Sequence, residues 1–253
     1  MLASRRYLPL VATLIVIAVN AAANLIPING YRTGELSDLN PTGFTPSGWV
    51  FAIWSLIYLG LIAYGIAALV GSERTRARVA ALTTPYLFNA AANAGWIFAW
   101  HYRQVELSLA LMLVILATLI MIFLRLRRQP PPSVREFLVI DAPFSLYFGW
   151  ITTATLANLG AVFHTLQAYP FSLPMNQWAL VTVCAATAIY VWMGAVTRDV
   201  IYCSVFVWAA LGIAYRPTGV TEPVKLASLA AVVALSVCIA WAAVESVRRR
   251  RTI

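Results

Sequence analysis

The sequence predicts an all-α integral membrane protein that crosses the bilayer about eight times. Three observations carry this. Of the 253 residues, 61% are hydrophobic and 11% charged, whereas a soluble domain carries roughly a quarter charged residues. The apolar residues run in long blocks, and about 20 such residues let a helix cross roughly 30 Å of hydrocarbon. The basic residues fall mostly between the blocks and at the two ends. Lipid offers backbone amides no partners, so the blocks must be helices, and the alternation of a β-barrel is absent.

The spans read as residues 7–27, 48–70, 82–101, 106–125, 137–162, 178–197, 200–215 and 224–246, the seventh being short. The first follows Arg5 and Arg6 but is longer than a signal-peptide core. Asn20 and Asn24 fit a retained helix, with cleavage after Ala23 as the alternative. Two outer loops are long, 28–47 and 163–177, and Pro130-Pro131-Pro132 forms a stiff inner connection. No soluble domain is present. Cys184, Cys203 and Cys238 each lie inside an apolar block without metal-ligand spacing, and read as small buried side chains.

Charge placement sets the orientation. With the amino terminus inside, the inner segments hold Arg5, Arg6, Arg74, Arg76, Arg78, Arg125, Arg127, Arg128, Arg135, Arg198 and the run Arg248 to Arg251, which is 14 of 18 basic residues. Arg32, Arg103, Arg216 and Lys225 remain outside. The positive-inside rule therefore places both termini in the cytoplasm. The net charge of +9 reflects this topology and not a nucleic-acid surface. Glu245 with Arg248 and Arg249 has helical salt-bridge spacing and reads as a solvated helix end.

Polar residues inside apolar spans need a reason. Asn20 and Asn24 in the first span, and Asn89 and Asn93 in the third, form the same Asn-Ala-Ala-Ala-Asn pattern. Spacing of four puts each pair on one helix face. The small residues between them admit a neighbouring helix, across which Asn can bond. Inter-helix bonding and the lining of a ligand cavity both follow, and the two are compatible. Trp54 and Tyr58 in the second span, Trp96 and Trp100 in the third, and Tyr147 and Trp150 in the fifth supply aromatic surface. Trp49, Trp100 and Trp178 fit an interfacial belt. Trp54, Trp96 and Trp150 lie deeper, where packing or a pocket would use them.

Asn40-Pro41-Thr42-Gly43-Phe44-Thr45-Pro46-Ser47-Gly48-Trp49-Val50-Phe51, continuing to Trp54 and Tyr58, resembles the start of the second helix in the TspO/translocator protein (tryptophan-rich sensory protein) family. Asn93-Ala94-Gly95-Trp96 is similar to that family's Asn-x-x-Trp. Pro143-Phe144-Ser145-Leu146-Tyr147, with Trp150 and Thr152, is similar to its fifth-helix segment. Three positions depart from the pattern: Ser47 replaces a Pro, Tyr147 a Trp, and Ile151 a small Ala. The resemblance implies a five-helix bundle over residues 1–165, with three additional helices and a basic tail over 166–253. It also implies a pocket for tetrapyrroles such as protoporphyrin, or for other apolar ligands. Trp54, Tyr58, Asn93, Trp96, Tyr147 and Trp150 would line it. Asn89 joins them through its shared face with Asn93, and Tyr31 is a candidate lid residue.

The expected function is therefore a membrane sensory or binding protein for porphyrins or similar apolar molecules. It needs no cofactor, with a porphyrin or haem-like group as ligand. The alternatives are a transporter of such ligands, for which Asp141 is the one acid well inside a span, and a light-dependent porphyrin-degrading enzyme. No catalytic constellation is visible, and the two histidines, His101 and His164, sit at outer helix ends. A retinal protein would need a Lys within a span, and the sole Lys225 begins the eighth. The expected surroundings are the lipid of a bacterial inner membrane. Small-residue faces on the sixth and eighth spans permit a homodimer.

Overall fold

The regular structure in the computed structural model, which describes residues 5–251 and side chains as far as 245, is helical; the Arg248 to Arg251 side chains and their pairing with Glu245 lie outside the described residues. There is no strand among the described residues. The helices are α1 (Leu8–Leu25), the short α2 (Thr33–Asp38), α3 (Ile53–Val70), α4 (Glu73–His101), α5 (Val105–Arg127), α6 (Val134–Leu166), α7 (Met175–Thr197), α8 (Val200–Ala214) and α9 (Glu222–Arg251). Apart from α2, they follow the eight expected spans in order.

Six helical stretches are long and apolar enough to cross a membrane: α1, α3 with the 3₁₀ turns before it (Gly48–Val70), α5, α6, α7 and α9 as far as Glu245. The other two expected spans correspond to α4 and α8. In α4, arginines in the first turns and Asn89 and Asn93 further on dilute its apolar character. Helix α8 has 15 residues, fewer than the roughly 20 that a full crossing takes. Many large apolar side chains remain exposed, among them Leu56, Leu59, Phe88, Trp192, Val233 and Val237. Water would penalise such a surface and hydrocarbon does not.

The chain forms two compact units, one of Met1–Leu36 with Ala52–Ile151 and one of Ser37–Phe51 with Thr152–Ile253. The boundary falls within α6.

In the first unit, α1 packs on α3 and α4, α4 packs on α5, and α3 packs on the start of α6. Close approach depends on glycine at Gly60, where a Cβ would come within 2.8 Å of the Pro143 ring in α6. Two prolines interrupt helical hydrogen bonding, since each lacks an N–H and crowds the carbonyl four residues earlier. Pro85 frees the carbonyl of Ala81, and the Arg125 guanidinium of α5 donates to it at 2.7 Å. Pro143 follows a π-helical turn over Phe137–Asp141, a widening that gives the Val139 carbonyl room beside the ring. Ser133 and Glu136 form a reciprocal capping box at the start of α6.

Asp141 closes the π turn and accepts two bonds from Arg78 Nη2, at 2.8 and 3.0 Å. Arg78 also donates to the Pro130 carbonyl at 2.8 Å, so one side chain fixes both the polyproline connection and the base of α6. The Arg78 side chain is 5% exposed and that of Asp141 is 18% exposed.

In the second unit, α7, α8 and α9 pack against one another. Tyr190, Tyr202 and Phe206 stack closely, with ring centroids 4.6 and 4.9 Å apart. The two hydroxyls bond to threonines of α6, Tyr190 to Thr153 at 2.8 Å and Tyr202 to Thr152 at 3.0 Å. The segment 37–51 is fastened to the end of α8. Ser47 donates its N–H and its hydroxyl to the Gly212 carbonyl, at 3.0 and 2.9 Å. Arg216 reaches Asp38 and the Thr45 carbonyl. Proline at position 47 has no N–H and no hydroxyl and could make neither Ser47 bond.

Replacing Arg78 by Ala would leave the Asp141 carboxylate without its counter-ion, and breaking a buried pair in this way costs about 3–5 kcal/mol. Denaturant unfolding in detergent, followed by circular dichroism, should show that loss for Arg78→Ala. The double variant Arg78→Met with Asp141→Leu should recover most of it. Equal losses in the two would show that the pair is not the source of the stability.

Candidate ligand-binding site

The candidate residues lie in the first unit, on α3, α4 and α6, with Tyr31 in the connection after α1. Helical spacing puts Trp54 and Tyr58 on one face of α3, and their rings stack at 5.3 Å. Trp54 also meets two aromatics of α6 edge-on, Tyr147 at 5.8 Å and Trp150 at 6.3 Å. Such offset and edge-to-face contacts are the preferred aromatic geometries. Tyr147 and Trp150 are buried, whereas Trp54 and Tyr58 keep part of their surface open.

A line of amides and hydroxyls positions this cluster. Asn93 donates through Nδ2 to the Tyr147 hydroxyl at 2.9 Å, and its Oδ1 accepts from Asn20 Nδ2 at 3.0 Å. Asn20 also donates to the Val16 carbonyl, and Asn24 to the carbonyl of Asn20. Asn20, Asn93 and Tyr147 are 7%, 1% and 1% exposed. One hydrogen-bonded path thus joins α1, α4 and α6. The orientation of the Tyr147 ring against Trp54 depends on it.

The other expected site residues fall elsewhere. Asn89 faces α5, donating to Thr118 Oγ1 at 2.9 Å and to the Ile115 carbonyl at 3.2 Å. Trp96 stacks nearly parallel on Trp100, with centroids 5.7 Å apart. Tyr31 is 36% exposed and lies in a segment tied to the end of α4 on both sides. Asn29 donates to the His101 carbonyl at 3.0 Å, and Trp100 Nε1 donates to the Thr33 carbonyl at 3.4 Å. The His101 ring is fully buried; its Nδ1 lies 2.7 Å from the Ile97 carbonyl and its Nε2 3.4 Å from Thr33 Oγ1. It is a fastening point for this segment.

Asn20 is visible in the sequence as half of a repeated pattern, yet its place beside Asn93 is not. The repeat Asn-Ala-Ala-Ala-Asn in α1 and α4 holds the signal, since the first Asn of one copy pairs with the second Asn of the other. No group of three or more His, Cys, Asp or Glu side chains able to hold a metal occurs among the described residues. What the cluster offers chemically is aromatic surface with a few fixed polar groups.

No curated protein and no solved structure matches the chain. A family profile described as "TSPO-like protein" matches residues 6–241, which takes in α7, α8 and most of α9 as well as the first five expected spans. The chain belongs to the TSPO-like protein family.

Proposed function

We propose that the protein binds a planar apolar ligand of the tetrapyrrole class against Trp54 and Tyr58, backed by the buried Tyr147 and Trp150, with Asn93 setting the geometry. The observation that carries this is the pairing of partly exposed aromatic rings on α3 with a buried, hydrogen-bonded Asn93–Tyr147 support on α4 and α6. A macrocycle gains by stacking on such faces, and a small number of fixed polar groups orients it. Family membership supports a tetrapyrrole-related role in the membrane. Tyr31, Trp96 and the tied segment around them form the outer side of this reading, as a cover and not as the stacking surface. Asn89 belongs to helix packing.

The same reading has eight spans, α4 and α8 included, with both termini in the cytoplasm of a bacterial cell and the aromatic cluster toward the outer half of the bilayer. The distribution of arginines supports that orientation. Binding is favoured over proton-coupled transport by one observation. Asp141, the acid available for coupling, is held by Arg78 Nη2, which donates to both carboxylate oxygens.

Titration of the detergent-purified protein with protoporphyrin IX, read by quenching of Trp fluorescence, tests the proposal. Trp54→Ala should raise Kd about tenfold, a loss of roughly 1.4 kcal/mol. Asn93→Ala should do the same by releasing Tyr147. Asn89→Ala should leave Kd unchanged while lowering stability by about 0.6 kcal/mol, the average for such bonds between membrane helices. Wild-type affinity in both Trp54→Ala and Asn93→Ala would remove the site. Proteoliposome flux that depends on a proton gradient and vanishes in Asp141→Asn would favour the transporter.

A further inference from the structure

The second unit holds a pair of thiols that the ligand-binding reading does not use. Cys203 on α8 and Cys238 on α9 both point at Gly194 of α7. A Cβ at Gly194 would lie 2.8 Å from Cys203 Sγ and 2.6 Å from Cys238 Sγ. Glycine there clears the space of one methyl group, and the two sulfurs share it from two different helices. Each also has a backbone acceptor on α7, the Tyr190 carbonyl at 3.5 Å for Cys203 and the Val191 carbonyl at 3.9 Å for Cys238. Cys184, the third cysteine, is exposed on α7.

Two thiols serving only as small apolar side chains would not need to converge on one point. The absence of a third metal-ligating side chain among the described residues disfavours a closed metal site, which takes four ligands. What a convergent pair can do is form a bond. We propose that Cys203 and Cys238 are a redox-active dithiol that a hydroperoxide converts into a disulfide joining α8 to α9.

The chemistry balances with hydrogen peroxide as the oxidant. The Cys238 thiol is the partly exposed one, while Cys203 is 1% exposed, so Cys238 meets the peroxide first. Its sulfur, as thiolate, attacks one peroxide oxygen, the O–O bond breaks, and a sulfenic acid and one water result. Cys203 sulfur then attacks the sulfenic sulfur, the S–O bond breaks, and a second water leaves. Two electrons pass from the two sulfurs to the peroxide, and both thiol protons end in water. A small neutral peroxide can enter the apolar surroundings, and a reducing thiol reverses the step by exchange.

The test uses the full-length protein with a protease site inserted after Thr218, in the exposed connection between α8 and α9. After peroxide treatment and cleavage, the two fragments should migrate together without reductant and separate with it. Cys203→Ala and Cys238→Ala should each separate without reductant, and Cys184→Ala should behave as wild type. Separation of the wild-type fragments after peroxide would overturn the proposal, as would joined fragments in either of the first two variants. Should those variants fail to fold, peptide mass mapping of the oxidised wild type decides. A Cys203–Cys238 linked peptide upholds the dithiol. Linkage through Cys184, or oxygen retained on Cys238 without a link, refutes it.

Discussion

The hydrogen-bonded path from Asn20 through Asn93 to Tyr147 is the interaction on which the proposed site depends. An amide placed among apolar helices must find a partner within the protein, because hydrocarbon supplies none. Here the need is met by a neighbouring amide on one side and a phenol on the other. The result is more than satisfaction of two polar groups. It fixes the relative placement of α1, α4 and α6, and with it the ring against which Trp54 rests. Polar residues that would weaken an ordinary membrane anchor thus become the means by which aromatic surface is held at one position.

The same constraint explains the handling of the helix breaks. Pro85 and Pro143 each disturb backbone bonding, and each disturbance is absorbed differently. The Ala81 carbonyl receives a guanidinium from α5, whereas the chain before Pro143 widens into a π turn. That turn ends on Asp141, whose carboxylate is neutralised by Arg78. Arg78 and Arg125 therefore act on specific carbonyls and on a carboxylate as well as carrying charge between the helices. In the second unit the equivalent work falls to Ser47 and Arg216, which bind the Pro-rich segment to α8.

Much of the fold is legible in the sequence because hydrocarbon imposes a length on every crossing. The eight expected spans follow eight helices, and the short seventh one is short in the structure. Polar content sets α4, and shortness sets α8, apart from the six helices that length and composition alone support. The side-chain partners are less legible. Periodicity gives the face of a helix but not its neighbour, so Asn89 and Asn93, one turn apart, can both be assigned to a site although one turns to α5 and the other to α6. Trp54, Tyr147 and Trp150 are grouped in the sequence by their depth in the spans and by the resemblance, since nothing in their spacing joins α3 to α6. The two compact units are not legible at all, because the segment 37–51 joins the second through contacts more than 150 residues apart in sequence.

The most direct test of the account is to irradiate the protein with protoporphyrin bound and to map the modified residues by mass spectrometry. The account predicts modification concentrated between Trp54 and Tyr58 and between Tyr147 and Trp150, and suppressed by a competing tetrapyrrole. Modification that is confined to α7, α8 and α9, or that is unaffected by competition, would contradict a ligand site built on the Asn93–Tyr147 support.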